Sequence, residues 1–167
     1  MKIVSQSARE TLSLGAVLSG CLKPGDIICL KGNLGSGKTI LTKGIAAGLG
    51  VNKDKVTSSS FILIRQHLGG RIPLFHFDLY RLQEAGSIAM LGYEEYFYDD
   101  GVSVIEWAQN LGCLMPRERL MIELSYGRPK DKRVIKITAA GLRYKELLKG
   151  IRKSFISQIN GRAIFTN

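Results

Sequence analysis

The chain has 167 residues, 45% of them apolar and 23% charged, with a formal net charge of +10. That apolar share excludes a disordered chain, the length suits one domain, and no apolar stretch is long enough to span a bilayer. Three cysteines, odd in number and without C-x-x-C spacing, fit a reducing cytosol with thiols packed as small hydrophobes, so a cytoplasmic location is expected.

The charge is uneven. Residues 1–127 hold 13 Lys/Arg against 12 Asp/Glu, whereas residues 128–167 hold 11 against 2. The last quarter therefore carries +9 of the +10, a block that suits nucleic acid, an acidic partner or simply a solvated surface.

In chain order, Ser7-x-x-Glu10 reads as a capping box that opens an amphipathic helix ending near Gly20. Leu18-Ser19-Gly20-Cys21 resembles a lipoprotein cleavage site, but Arg9 and Glu10 interrupt the apolar run such a signal needs, so export is not expected. Residues 26–31 form a strand, and Ile40, Leu41, Ile45, Ala46 and Leu49 give the next helix, stopping at the glycines of 48–50. A polar link over 56–60 leads into apolar runs at 61–64 and 72–77 around Gly69-Gly70, the pattern of a hairpin. Helical spacing covers 79–91, weakened by Gly86, and a second short helix follows over 92–98. Residues 102–106 read as a buried strand, a short helix precedes Pro116, strands follow at 119–124 and 133–138, and a basic helix occupies 143–157. The fold expected is α/β with three layers, a mixed central sheet with a parallel core and antiparallel strands, flanked by helices. Residues 1–140 are expected to form the main domain, and residues 141–167 a basic helix and tail packed on the same domain.

Between the first strand and its helix, Gly32-Asn33-Leu34-Gly35-Ser36-Gly37-Lys38-Thr39 spells G-x-x-x-x-G-K-T. The glycines let backbone N–H groups turn inward around a triphosphate, Lys38 supplies charge to the β- and γ-phosphates, and Thr39 is placed to ligate Mg²⁺. The helix adds its positive end. A nucleoside triphosphate is the expected ligand, with Asn33, Leu34, Gly35, Ser36, Gly37, Lys38 and Thr39 around it, so the three-layer fold expected is the P-loop NTPase fold and residues 1–140 its ATPase domain.

A P-loop grips phosphates but needs carboxylates to hydrolyse them. Glu106 ends a buried strand in the manner of a Walker B acid, within reach of the metal or the water. In His76-Phe77-Asp78-Leu79-Tyr80-Arg81, strand alternation puts His76, Asp78 and Tyr80 on one face. Asp78 is then a candidate metal or water partner, with His76 orienting it or sensing phosphate. Ser58, Ser59 and Ser60 are a candidate switch segment.

These blocks together resemble the TsaE family of small P-loop ATPases, which serves threonylcarbamoyladenosine formation on tRNA. Four blocks match in order: the loop of 32–39 with Gly44 and Leu49-Gly50, then 56–61, 76–81 and Ile105-Glu106-Trp107. Ser59 stands where the family usually has proline, and Ile40 where a second threonine is common. The resemblance implies that Lys38 and Thr39 bind ATP and Mg²⁺, that Asp78 and Glu106 serve metal binding and hydrolysis, and that Ser60 and Trp107 belong to the site. It also implies binding to the transferase pair TsaD and TsaB, which ATP turnover resets.

Three rivals remain at this point. A regulatory GTPase would need Asn-Lys-x-Asp, and Asn52-Lys53-Asp54-Lys55 places its acid one position early. A nucleotide kinase would need an acceptor pocket and an arginine-bearing lid. An ATP-gated RNA-binding module would work through the basic tail, by direct contact with tRNA.

Overall fold

The structure is a computed structural model that describes residues 1–58, 63–82, 84–97, 99–129 and 131–158, with only the backbone of 156–158. Seven strands make one sheet: β1 (Lys2–Ser5), β2 (Ile27–Lys31), β3 (Ile64–His67), β4 (Leu74–Asp78), β5 (Val102–Glu106), β6 (Arg119–Tyr126) and β7 (Arg133–Ala140), in the order β1-β7-β6-β2-β5-β4-β3. The four central strands run parallel, and the pairs β1/β7, β6/β7 and β3/β4 are antiparallel. This is the mixed sheet expected, with the edge strand β1 added. Its four residues are too short to register against a helical period, and β1 is defined by its pairing with β7.

Because side chains alternate across a strand, the sheet has two unlike faces. Ile28, Leu30, Val102, Val104, Ile122 and Ile135 face α1 (Ala8–Ser19), α2 (Lys38–Gly48) and α5 (Leu142–Gln158) in one apolar cluster. Ile27, Cys29, Phe75, Phe77 and Ile105 face the other way, under α3 (Ala85–Ala89), α4 (Glu94–Phe97) and a 3₁₀ segment, Ala108–Leu114. Burial pushes the Cys29 thiol up to about 12, so it stays a neutral packing group.

The capping box forms at the head of α1: Ser7 Oγ accepts from the Glu10 N–H, while the Glu10 carboxylate accepts from the Gln6 N–H. Helices α1 and α2 cross at glycine. A Cβ on Gly44 would strike the Leu12 carbonyl and lie 3.0 Å from the Gly15 Cα, so only glycine permits this approach. The crossing fixes how α2 lies on the sheet.

One expected helix is shorter than its sequence pattern. Among the described residues of 79–91, only α3 is α-helical, five residues long. Leu79 N–H still donates to the Glu106 carbonyl at 3.2 Å, and Tyr80 N–H donates to Asp78 Oδ1 at 3.2 Å. Those bonds tie the segment to β5 and turn it before a helix can begin.

Candidate functional site

The carboxyl ends of three parallel strands meet in one row, with Leu30 of β2 beside Glu106 of β5 and Glu106 beside Asp78 of β4. Open α/β sheets place ligands at such an edge. The P-loop leaves β2 here and returns as the first turn of α2. Its last glycine, Gly37, has φ 103°, a left-handed conformation strained for any side chain. A Cβ on Gly32 would meet the Leu124 carbonyl and the Ser36 hydroxyl. The loop thus closes into a bare-backbone cradle. Ser36 Oγ is buried inside it without a hydrogen-bond partner, a donor that a phosphate oxygen would satisfy. Asn33, Leu34 and Gly35 form its exposed tip. The tip is pinned by a residue that no sequence pattern marks: Tyr126 of β6 donates its hydroxyl to the Leu34 carbonyl at 2.7 Å. Arg133 of β7 lies over the Tyr126 ring, 5.0 Å from its centroid.

Lys38 folds back over the loop, donating to the carbonyls of Gly32 at 2.7 Å and Asn33 at 3.1 Å. Its ammonium also sits 3.8 Å from the centroid of the Trp107 ring. Burial pushes the Lys38 pKa below its ordinary value, and the charges of Glu106 and Asp78 oppose that shift.

Behind the lysine, Glu106 is 1% exposed and hydrogen-bonded at both oxygens. Thr39 Oγ1 donates to its Oε2 at 2.9 Å, and Thr42 Oγ1 donates to its Oε1 at 3.1 Å. His76 Nε2 lies 3.0 Å from the same Oε1. Thr39 and Thr42 are one helical turn apart on α2, so both reach down to one carboxylate. Thr42 is a site residue the motif does not mark, legible only from its i+3 spacing to Thr39. The sequence reading gives His76 to Asp78 or to phosphate. The fold instead buries His76 two residues deeper along β4, where it meets Glu106 across the parallel pair.

Asp78 accepts from Ser58 Oγ at 2.9 Å and from the Tyr80 N–H. Of the expected switch segment, Ser58 is therefore joined to the site, while Ser59 and Ser60 lie outside the described residues. Tyr80 has left the strand, and its ring lies 4.9 Å from that of Trp107. Trp107 takes φ 59°, ψ 38°, a left-handed conformation costly for a bulky residue and typical of functional sites.

Gly37, Lys38, Thr39, Ser58, Glu106 and Trp107 line a cleft of about 160 Å³. The residues present fit a phosphate chain and a hard cation: bare backbone, an ammonium, a threonine hydroxyl and two carboxylates. Among the described residues no group of three or more His, Cys, Asp or Glu is placed to hold a metal. Mg²⁺ characteristically takes one or two protein oxygens and completes its shell with phosphates and water.

Residues 5–135 match the family described as "Threonylcarbamoyl adenosine biosynthesis protein TsaE". The TsaE protein of Bacillus subtilis (strain 168) is 38% identical over 144 residues, covering 86% of this chain and 89% of the relative. That of Treponema pallidum (strain Nichols) is 37% identical over 124 residues, covering 74% and 90%. The crystal structure of Bacillus subtilis YdiB has the same fold, with a TM-score of 0.77 and 37% identity over 92% of this chain and 94% of that one. The chain belongs to the TsaE family, named for the biosynthesis of threonylcarbamoyladenosine in tRNA.

Proposed function

We propose that this protein is a weak Mg²⁺-dependent ATPase that supports threonylcarbamoyladenosine formation by binding the TsaD–TsaB transferase pair and resetting it between rounds. One arrangement carries the reading: the P-loop Thr39 donates its proton to Glu106 Oε2, which frees its oxygen lone pairs for a cation. Thr42 and His76 complete the hydrogen bonding of this buried acid and fix its orientation toward Thr39.

The residues divide the work. The loop backbone and Lys38 hold the β- and γ-phosphates, which requires Lys38 to leave the Gly32 and Asn33 carbonyls. Mg²⁺, when bound at Thr39, draws charge from the phosphate oxygens. Glu106 fixes the orientation of Thr39, and His76 and Thr42 fix Glu106. Asp78 retains free acceptor positions, so it orients the attacking water and accepts its proton. Trp107 lines the cleft, with its ring against the Lys38 ammonium.

The eight P-loop residues include no arginine, so turnover alone is expected to fall well below the ~10 s⁻¹ median of enzymes. The partners are expected to stimulate it. The test combines purified TsaD and TsaB homologues with this chain and Mg·ATP. Complex formation and faster turnover are the expected results, with Lys38→Ala losing nucleotide binding but keeping its circular dichroism. Trp107 is the single tryptophan, so its fluorescence reports the release of Lys38 from its ring. Fast turnover indifferent to both partners would overturn the resetting role, and wild-type ATP affinity in Lys38→Ala would remove the P-loop from the chemistry.

A further inference from the structure

A second polar cleft, of about 520 Å³, opens on the far edge of the sheet between the 3₁₀ turn Lys53–Lys55 and strand β3. Its lining includes Lys55, Thr57, Arg65 and His67, with Asp54 beside Lys55. Arg65 and His67 share one face of β3, since they are two residues apart. His67 is 7% exposed, and its Nε2 is buried with no hydrogen-bond partner; the Arg65 Nε is in the same condition. A buried polar nitrogen left unpaired is costly, and two on residues that line one cleft call for a partner there. The field has the matching sign. Burial lowers the His67 pKa, and His76, Arg65 and Lys55 lower it further, so positive charge crowds this point. Neutral histidine keeps one N–H to donate.

We propose that this cleft binds a phosphate group, held by the Arg65 guanidinium, the Lys55 ammonium and the His67 Nε2–H. Phosphate offers several acceptor oxygens in the fork geometry that arginine reads. The cleft shares no lining residue with the P-loop cleft, although the His67 ring stacks 6.3 Å from that of His76. Its phosphate comes either free from solution or from the phosphodiester backbone of RNA.

The chain has two histidines, so histidine-labelled full-length protein gives two imidazole signals, assigned with His67→Gln. A non-hydrolysable Mg·ATP analogue fills the P-loop, and inorganic phosphate is titrated in. The His67 signal is expected to shift and saturate, with a smaller change that saturates at the same concentration at the stacked His76. Arg65→Gln and Lys55→Gln should each weaken binding by about 10-fold, as removal of one charge-assisted hydrogen bond does. A second arm titrates a short oligouridylate. Movement of His67 at far lower concentration, reversed by inorganic phosphate, assigns the site to RNA backbone; movement with phosphate alone assigns it to the free anion. A stationary His67 signal, an unsaturable drift common to both histidines, or unchanged affinity in both variants overturns the proposal. Lys55 is exposed, so its variant folds even if replacing Arg65 disturbs the edge.

Discussion

Glu106 meets three side chains through hydrogen bonds, whereas Asp78 accepts one from a side chain and one from backbone. An ionised carboxylate offers about four acceptor positions, so Asp78 retains more of its capacity for water. The two acids should therefore fail differently. Asp78→Ala is expected to lower turnover by about 10² or more while keeping Mg·ATP affinity. Glu106→Ala should lower turnover comparably and also raise the Mg²⁺ concentration needed, because Thr39 loses the partner that orients it. Steady-state turnover against Mg²⁺ concentration separates these outcomes. Wild-type turnover in both variants would detach the carboxylates from hydrolysis, and identical Mg²⁺ curves would remove the distinction between them.

At the scale of elements, the α1/α2 crossing sets a test in which two effects have opposite sign. Gly→Ala inside a helix ordinarily stabilises by about 1 kcal/mol. At Gly44 the new methyl meets the Leu12 carbonyl of α1, and overpacking of that kind costs about 1–3 kcal/mol. Steric conflict should win, so Gly44→Ala is expected to lower the thermal midpoint; a raised midpoint would mean that the helices part at no cost. The same crossing separates what is legible in the chain from what is not. The P-loop, its strand and its helix are legible because each position answers a local demand of backbone or phosphate. Gly44 reads only as a match to a family pattern, since its reason lies in α1, far back along the chain. Likewise Glu106 stands out at a strand end, His76 through strand alternation and Thr42 only through its spacing to Thr39, but the bond between His76 and Glu106 and the place of Tyr126 arise from pairings between strands that no local pattern carries. The helix expected over 79–91 is cut short for the same cause: its periodicity is local, and the bond from Leu79 to Glu106 is not.

Across the whole molecule, the charge block at the chain's end is divided between the core and the surface. Tyr144, Leu147, Ile151 and Phe155 of α5 are buried in the main core. The Tyr144 hydroxyl accepts from the Ile27 N–H at 2.7 Å, and burial raises its pKa to about 12. Arg143 is held by Asp26, at 2.6 Å between Nη2 and Oδ2, so it belongs to the packing rather than to any partner. Lys145, Lys149, Arg152 and Lys153 remain exposed on the opposite side, with Lys149 paired to Glu146. Exposed pairs of that kind are weak and screened by solvent, which leaves the lysine available to a stronger anion. If this side meets tRNA in the assembled complex, replacing the four by glutamine should weaken the association. It should also flatten the dependence of log K on log salt by up to about 0.9 for each phosphate no longer neutralised, less for single strands. ATP turnover and thermal stability should stay unchanged, because none of the four touches the P-loop or the core. Truncating α5 instead would expose its apolar side and strip Ile27 of its acceptor, so the glutamine variant is the cleaner probe. An unaltered affinity and salt slope would leave these cations as a solvated face, with the helix serving the sheet alone.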